Sequence, residues 1–220
     1  MDALLAEIRR CQACVTDPIG EPLAHKPRPV LCAQATASIG IFGQAPGVRV
    51  HASGKPFTDP SGVRLREWMD VDEDTFYDDR SIAIVPMGFC FPGLDAKGGD
   101  RPPRRECAPI WRERVLAALP NLDLVLLIGS YAQKWHLKNR AGRNVTETVK
   151  QWRDYLETPT SGGPVYVPTP HPSWRNNAWL KANPWFEREL LPMLREKVAS
   201  SLAKCRQDNA SGTVDRRERF

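Results

Sequence analysis

Apolar residues fall into two kinds of pattern along this chain. Four short runs, 39–43 (IGIFG), 82–85 (IAIV), 124–128 (LVLLI) and 165–167 (VYV), are apolar at nearly every position. Unbroken apolar character over so few residues is what a strand covered on both faces requires, and it predicts a buried parallel sheet. Elsewhere apolar positions recur at helical spacing, predicting helices over 63–69, 106–119, 130–137, 146–156 and 185–202. Ser130, directly after Gly129, has the chemistry of an N-cap. Strand and helix alternate, so the pattern predicts one α/β domain over 1–202 with a central parallel sheet. From about 203 the pattern lapses, and 203–220 is predicted to be a disordered basic tail.

Composition changes this picture little. The 220 residues are 41% hydrophobic and 26% charged, the balance of an ordinary compact domain. No run approaches the roughly 18 apolar residues of a membrane span, so no membrane partner is expected. The N-terminus, MDALLAEIRRC, carries Asp2 and no long apolar segment, unlike a secretory signal. A cytoplasmic location and a monomer are the expectation. The net charge is +5, of which 201–220 carry +2, and it is compatible with a polyanionic partner without demanding one. Six cysteines in a cytoplasmic chain point away from disulfides and toward metal or redox chemistry.

Ligands of an open parallel sheet collect outside the carboxyl ends of its strands. Three motif-like segments occupy that place: GQAPG at 43–47, PMGFC at 86–90 and PHPS at 170–173. The first lacks both the GxGxxG spacing of a dinucleotide site and the GK[ST] ending of a phosphate loop. GKPF at 54–57 follows it, and Phe57, on a loop flanked by glycine and proline, is a candidate stacking surface. Pro170 and Pro172 stiffen the backbone on both sides of His171 and so fix where its imidazole points. His25 and His136 have no such context; His51 lies near the expected pocket. The loop from Pro92 to Pro103 is long enough to need a reason. Cys11 and Cys14 form a CxxC, and Cys90 and Cys107 enclose that long loop. By spacing they fit one four-cysteine site for zinc or an iron–sulfur cluster, or four unconnected thiols. Cys32 and Cys205 stand apart.

Taken together these residues resemble the uracil-DNA glycosylase superfamily, especially its iron–sulfur, family-4-like branch, over roughly 1–200. The resemblance rests on CxxC, GxAPG, GxPF, the separated cysteine pair and a late HPS, in that order and with matching offsets. It implies a three-layer α/β/α sandwich around a four-stranded, mainly parallel sheet. It implies a DNA glycosylase that hydrolyses the N-glycosidic bond of uracil or another deaminated base in damaged DNA. His171 would hydrogen-bond the departing base, Phe57 would stack on it, and Gly43, Gln44, Ala45, Pro86 and Ser173 would complete the pocket. Trp174, Arg175 and Asn176 would press into the duplex. A structural [4Fe-4S] cluster would sit on Cys11, Cys14, Cys90 and Cys107.

Two positions depart from the family-4 pattern. Gln44 stands where a glutamate handles the attacking water; an amide takes no proton, but as a catalytic candidate Gln44 could still hold that water by its amide oxygen. Pro86 stands where an asparagine reads the uracil edge, and it has no side-chain donor or acceptor. Asp59 is a possible replacement base. The departures motivate a rival, a catalytically weak or silent iron–sulfur protein of the same fold that binds DNA or senses damage. A zinc-stabilised domain that binds a free small molecule is a third reading.

Overall fold

The computed structural model describes residues 1–157 and 163–214, the last seven of them as backbone only. In chain order the elements are α1 (Asp2–Arg9), α2 (Ala13–Thr16), β1 (Ile39–Phe42), α3 (Val48–Ser53), α4 (Pro60–Met69), α5 (Glu73–Tyr77) and β2 (Ile82–Ile84). There follow α6 (Cys107–Ala117), β3 (Leu124–Ile128), α7 (Gly129–Leu137), α8 (Val145–Lys150), α9 (Trp152–Glu157), β4 (Val165–Thr169), α10 (Asn177–Ala182) and α11 (Leu191–Val214). The four apolar runs are the four strands, in the order β2-β1-β3-β4 and parallel throughout.

Strand residues point alternately to the two faces, and the pairing register keeps each set together. Ile39, Ile41, Ile82, Ile84, Leu124, Leu126, Ile128 and Val167 face one layer, where Leu65 and Trp68 of α4, Trp152 of α9 and Leu194 and Val198 of α11 cover them. Phe42, Ala83, Val85, Val125 and Leu127 face the other, under Ile8 of α1, Trp111 and Val115 of α6 and Ala132 of α7. The result is the expected α/β/α sandwich. Gly40 is required between these layers: a Cβ there would stand 3.0 Å from the Phe42 ring and 3.1 Å from Val125. Pro168 lies in the edge strand β4, where a missing N–H is tolerated.

Several boundaries differ from the pattern reading. α7 opens at Gly129, with Ile128 as its cap residue and no side-chain cap bond, so Ser130 is not an N-cap. The helix expected over 146–156 breaks at Gln151 into α8 and α9. The helix expected from 185 begins as one wide turn, Phe186–Leu190, just before Pro192, which has no N–H to give the ladder.

The last helix does not stop near 202. Leu202 and Cys205 are still buried, and Lys204 pairs with Asp123 at 3.2 Å, so α11 continues to Val214. The part of the expected tail beyond it, 215–220, lies outside the described residues. No helix among the described residues is long and apolar enough to cross a membrane.

Candidate functional site

The loops leaving the carboxyl ends of β1, β2 and β4 enclose a cavity of about 90 Å³. Gly43, Gln44, Ala45, Phe57, Pro86 and His171 all line it, so the three motif segments converge as the sequence predicts. The first two loops are locked to each other by an extension of the sheet ladder. The Val85, Met87 and Gly88 N–H groups donate to the Ile41, Gly43 and Gln44 carbonyls at 2.9, 2.8 and 2.9 Å. Pro86 sits between two donors, at the alternate position whose N–H would point away from β1, and so leaves the ladder intact. Gln44 donates from Nε2 to the Arg101 carbonyl at 3.1 Å, which ties the β1 loop to the long loop ahead of α6.

Phe57 is held in a conformation its side chain disfavours, with φ at +53°. Three neighbours impose it. Tyr77 donates its hydroxyl to the Pro56 and Phe57 carbonyls at 2.9 and 3.1 Å. Phe76 meets the Phe57 ring edge-on with centroids 6.1 Å apart. Gly62 packs directly against the Phe57 backbone, where a Cβ would lie 1.8 Å from its carbonyl oxygen. Strain of this kind persists only where the surroundings over-determine it, and functional sites are where it clusters.

His171 leaves β4 between its two prolines, and its carbonyl accepts from Asn176 Nδ2 at 2.7 Å. Its imidazole lines the cavity, crowded by the surrounding loops on one side and open to solvent on the other. Burial lowers its pKa from the ordinary histidine value, and Asp59 and Asp100 act in the opposite direction. The ring is therefore neutral at pH 7 and can donate one N–H. Below it, the buried Gln133 of α7 staples the strand ends by donating to the Leu127 and Thr169 carbonyls at 3.2 and 2.9 Å.

The segment after His171 divides its labour. Ser173 does not line the cavity; its carbonyl accepts from Arg64 of α4 at 3.1 Å, and the same guanidinium nitrogen reaches Asn177 Oδ1 at 2.9 Å. Asn176 is turned inward onto His171 and is spent on positioning it. Trp174 is 69% exposed, with the Arg175 guanidinium 5.2 Å from its ring centroid, so these two present bulk and charge to solvent. Pattern reasoning missed two polar cavity residues. Ser61 and Asp100 line it, the latter from the long proline-rich loop whose length was the only hint.

Cys11, Cys14, Cys90 and Cys107 line a second, much smaller cavity of about 20 Å³ beneath Phe89, Ile110 and Trp111. Among the described residues no three His, Cys, Asp or Glu side chains stand at metal-binding spacing. The donor set is nonetheless four soft sulfurs in an apolar wall, as thiophilic metals prefer. Burial pushes the Cys90 and Cys107 thiols up to about 12, and Cys14 is raised for the same reason. The Phe89 N–H already donates to Cys107 Sγ at 3.3 Å.

Arg112 adds a charge argument. It is 1% exposed, and among the described residues it has no carboxylate partner; it donates to the Val85 carbonyl and Met87 Sδ and lies 4.8 Å from the Phe42 ring centroid. Burial lowers its pKa to about 10, with Cys107 the first group acting to hold its charge. A buried cation with no anion is costly, and an anionic thiolate cluster at Cys107 would supply one.

Residues 29–195, three quarters of the chain, match a family model described as the uracil DNA glycosylase superfamily.

Proposed function

The chain belongs to the uracil DNA glycosylase superfamily, and from that premise we propose that it is a DNA glycosylase of the family-4-like, iron–sulfur branch. It excises uracil or another deaminated base from DNA, as a cytoplasmic, monomeric repair enzyme. One observation carries the reading: Gln44, Phe57 and His171, carried by three separate loops, border one cavity at the carboxyl ends of the strands.

The chemistry follows from that arrangement. A base inside the stack must be extruded before its glycosidic bond is within reach, at a cost of a few kcal/mol. Stacking on a pre-set aromatic surface such as Phe57 returns about 1–3 kcal/mol. As the bond breaks, negative charge gathers on the departing base. Neutral His171, aimed into the cavity, donates a hydrogen bond to it and acts as an oxyanion-hole device. The wall at Pro86 offers no side-chain group to read a base edge, so selectivity among deaminated bases is expected to be relaxed.

The four cysteines would hold a [4Fe-4S] cluster, with Arg112 as its buried counter-charge. Its chemistry is structural, fixing the ends of the loop between Cys90 and Cys107. The test of the whole reading is base release from oligonucleotides carrying uracil, hypoxanthine or xanthine, single- and double-stranded. Release of at least one is expected from protein that contains iron. Salt-sensitive DNA binding with no release of any base would overturn it in favour of a silent binding protein.

Trp174 and Arg175 are the groups we assign to the duplex. Trp174→Ala is expected to weaken binding to duplex DNA about tenfold, in line with the 1–3 kcal/mol of one base–aromatic stack. Release of the base from single strands, which need no wedge, should change little. An equal effect on both substrates would remove Trp174 from that role.

A further inference from the structure

Gln44 takes no proton, yet the cavity has a carboxylate facing it from another loop. Asp100 lines the cavity with His171 and Phe57, and its Oδ2 lies 3.4 Å from where a Cβ on Gly47 would stand. Its loop is closed on itself. Leu94 and Asp100 form an antiparallel bridge, and the Asp95 carboxylate accepts the Lys97 and Gly99 N–H groups at 2.8 and 2.9 Å. A further fastening comes from Gln44, whose amide donates to the carbonyl of Arg101, the next residue. A glutamate at 44 has no proton to place there when ionised. The side chain that replaced the expected acid is thus the strut of the loop that brings in another one. Asp59 also lines the cavity, but its carboxylate caps α4 by accepting the Gly62 N–H at 3.3 Å.

We propose that Asp100 is the carboxylate that accepts the proton of the attacking water, and that Gln44 is a positioning residue that holds its loop. The assignment rests on the glycosylase reading above. The water oxygen bonds to C1′ of the sugar, and the C1′–N bond breaks with its electron pair leaving on the base. The water proton passes to Asp100, and His171 holds the departing anion by a hydrogen bond. Titratable groups face Asp100 from several elements: Arg175 and His171 after β4, Asp59 ahead of α4, and Asp95 in its own loop. Burial dominates and raises the carboxyl above its ordinary value; Arg175, and His171 when protonated, oppose the rise, while Asp59 and Asp95 add to it. A carboxylate so raised is a better proton acceptor near neutral pH than an ordinary one.

The test compares wild type with Asp100→Asn, Asp100→Glu and Asp100→Gly in single-turnover base release. Affinity is measured in parallel for the same DNA carrying a non-hydrolysable 2′-fluoro nucleotide, and folding by melting temperature. Asp100→Asn is expected to slow release by about 10²-fold or more with affinity and melting temperature unchanged. Its rate should lose the part of the acid-side fall that belongs to the carboxylate. Asp100→Glu should keep part of the rate, and added formate should restore part of it to Asp100→Gly. An Asp100→Asn rate within about threefold of wild type overturns the proposal, as does a loss matched by an equal loss of affinity. A wild type that releases no base condemns the glycosylase reading instead, so the two failures are told apart by the first arm.

Discussion

Replacing His171 with alanine is expected to slow base release by about 10²–10³-fold, the effect of removing one pre-placed donor from a developing anion, about 3–4 kcal/mol. The backbone at this position is fixed by two prolines and by the Asn176 amide on its carbonyl, none of which depends on the imidazole. The ring opens into the cavity, so its loss leaves no unsatisfied group in the core, and the melting temperature should stay near that of wild type. Binding of the intact substrate should also change little, because the charge that His171 meets exists only as the bond breaks. The pH profile carries a second expectation. Burial holds the imidazole below the ordinary histidine value, so it is already neutral at pH 7, and raising the pH from about 7 to 9 removes no proton that it needs to lose. A wild-type rate that climbs steeply over that interval, or a His171→Ala enzyme as fast as wild type, would remove His171 from the role.

The second large effect is expected from a methyl group. Gly62→Ala places a Cβ 1.8 Å from the Phe57 carbonyl oxygen, 2.7 Å from its carbonyl carbon and 2.9 Å from its Cβ. These are backbone atoms and the root of a side chain, with no flexible end to swing aside. Gly62 lies in the first turn of α4, whose N-cap is Asp59 and whose first residue is Pro60, so the helix start resists moving. Phe57 is the part that yields, and it is poised to do so from an already strained backbone. We expect about 1–3 kcal/mol of lost stability from overpacking. Loss of the stacking surface, worth about 1–3 kcal/mol per base, should lower kcat/KM about tenfold or more. Tyr77→Phe, which removes only the hydroxyl that holds the Pro56 and Phe57 carbonyls, should move both quantities in the same direction and less far. Unchanged melting temperature and kcat/KM in Gly62→Ala would show that Phe57 does not need its present backbone.

The four strands and their parallel arrangement were legible in the sequence because burial on both faces leaves a local mark: every position in the run must be apolar. The convergence of GQAPG, GKPF and PHPS was legible for a related reason, since loops at the carboxyl ends of parallel strands share one side of the sheet. Local pattern failed where a distant contact decided the outcome. The tail from 203 reads as polar, but α11 runs on because Cys205 is buried near Thr36 and Ser81, residues more than 120 positions away. Asn176 looks like a nucleic-acid contact among its neighbours, and only its geometry turns it toward the His171 carbonyl.

By itself, then, the order of residues determined the sheet, the layers and which loops meet, because those depend on periodicity and on the direction of strands. Tertiary structure decided which further side chains the cavity receives and how they are held. Asp100 enters it through a loop fastened by Gln44 at a separation of 57 residues. Phe57 is strained by a glycine five positions on and a tyrosine twenty positions on. Arg112 is buried where Cys107, five positions before it, is the first group acting to hold its charge. Periodicity is a property of neighbours along the chain, whereas desolvation and charge pairing depend on whatever the folded chain brings within a few ångströms.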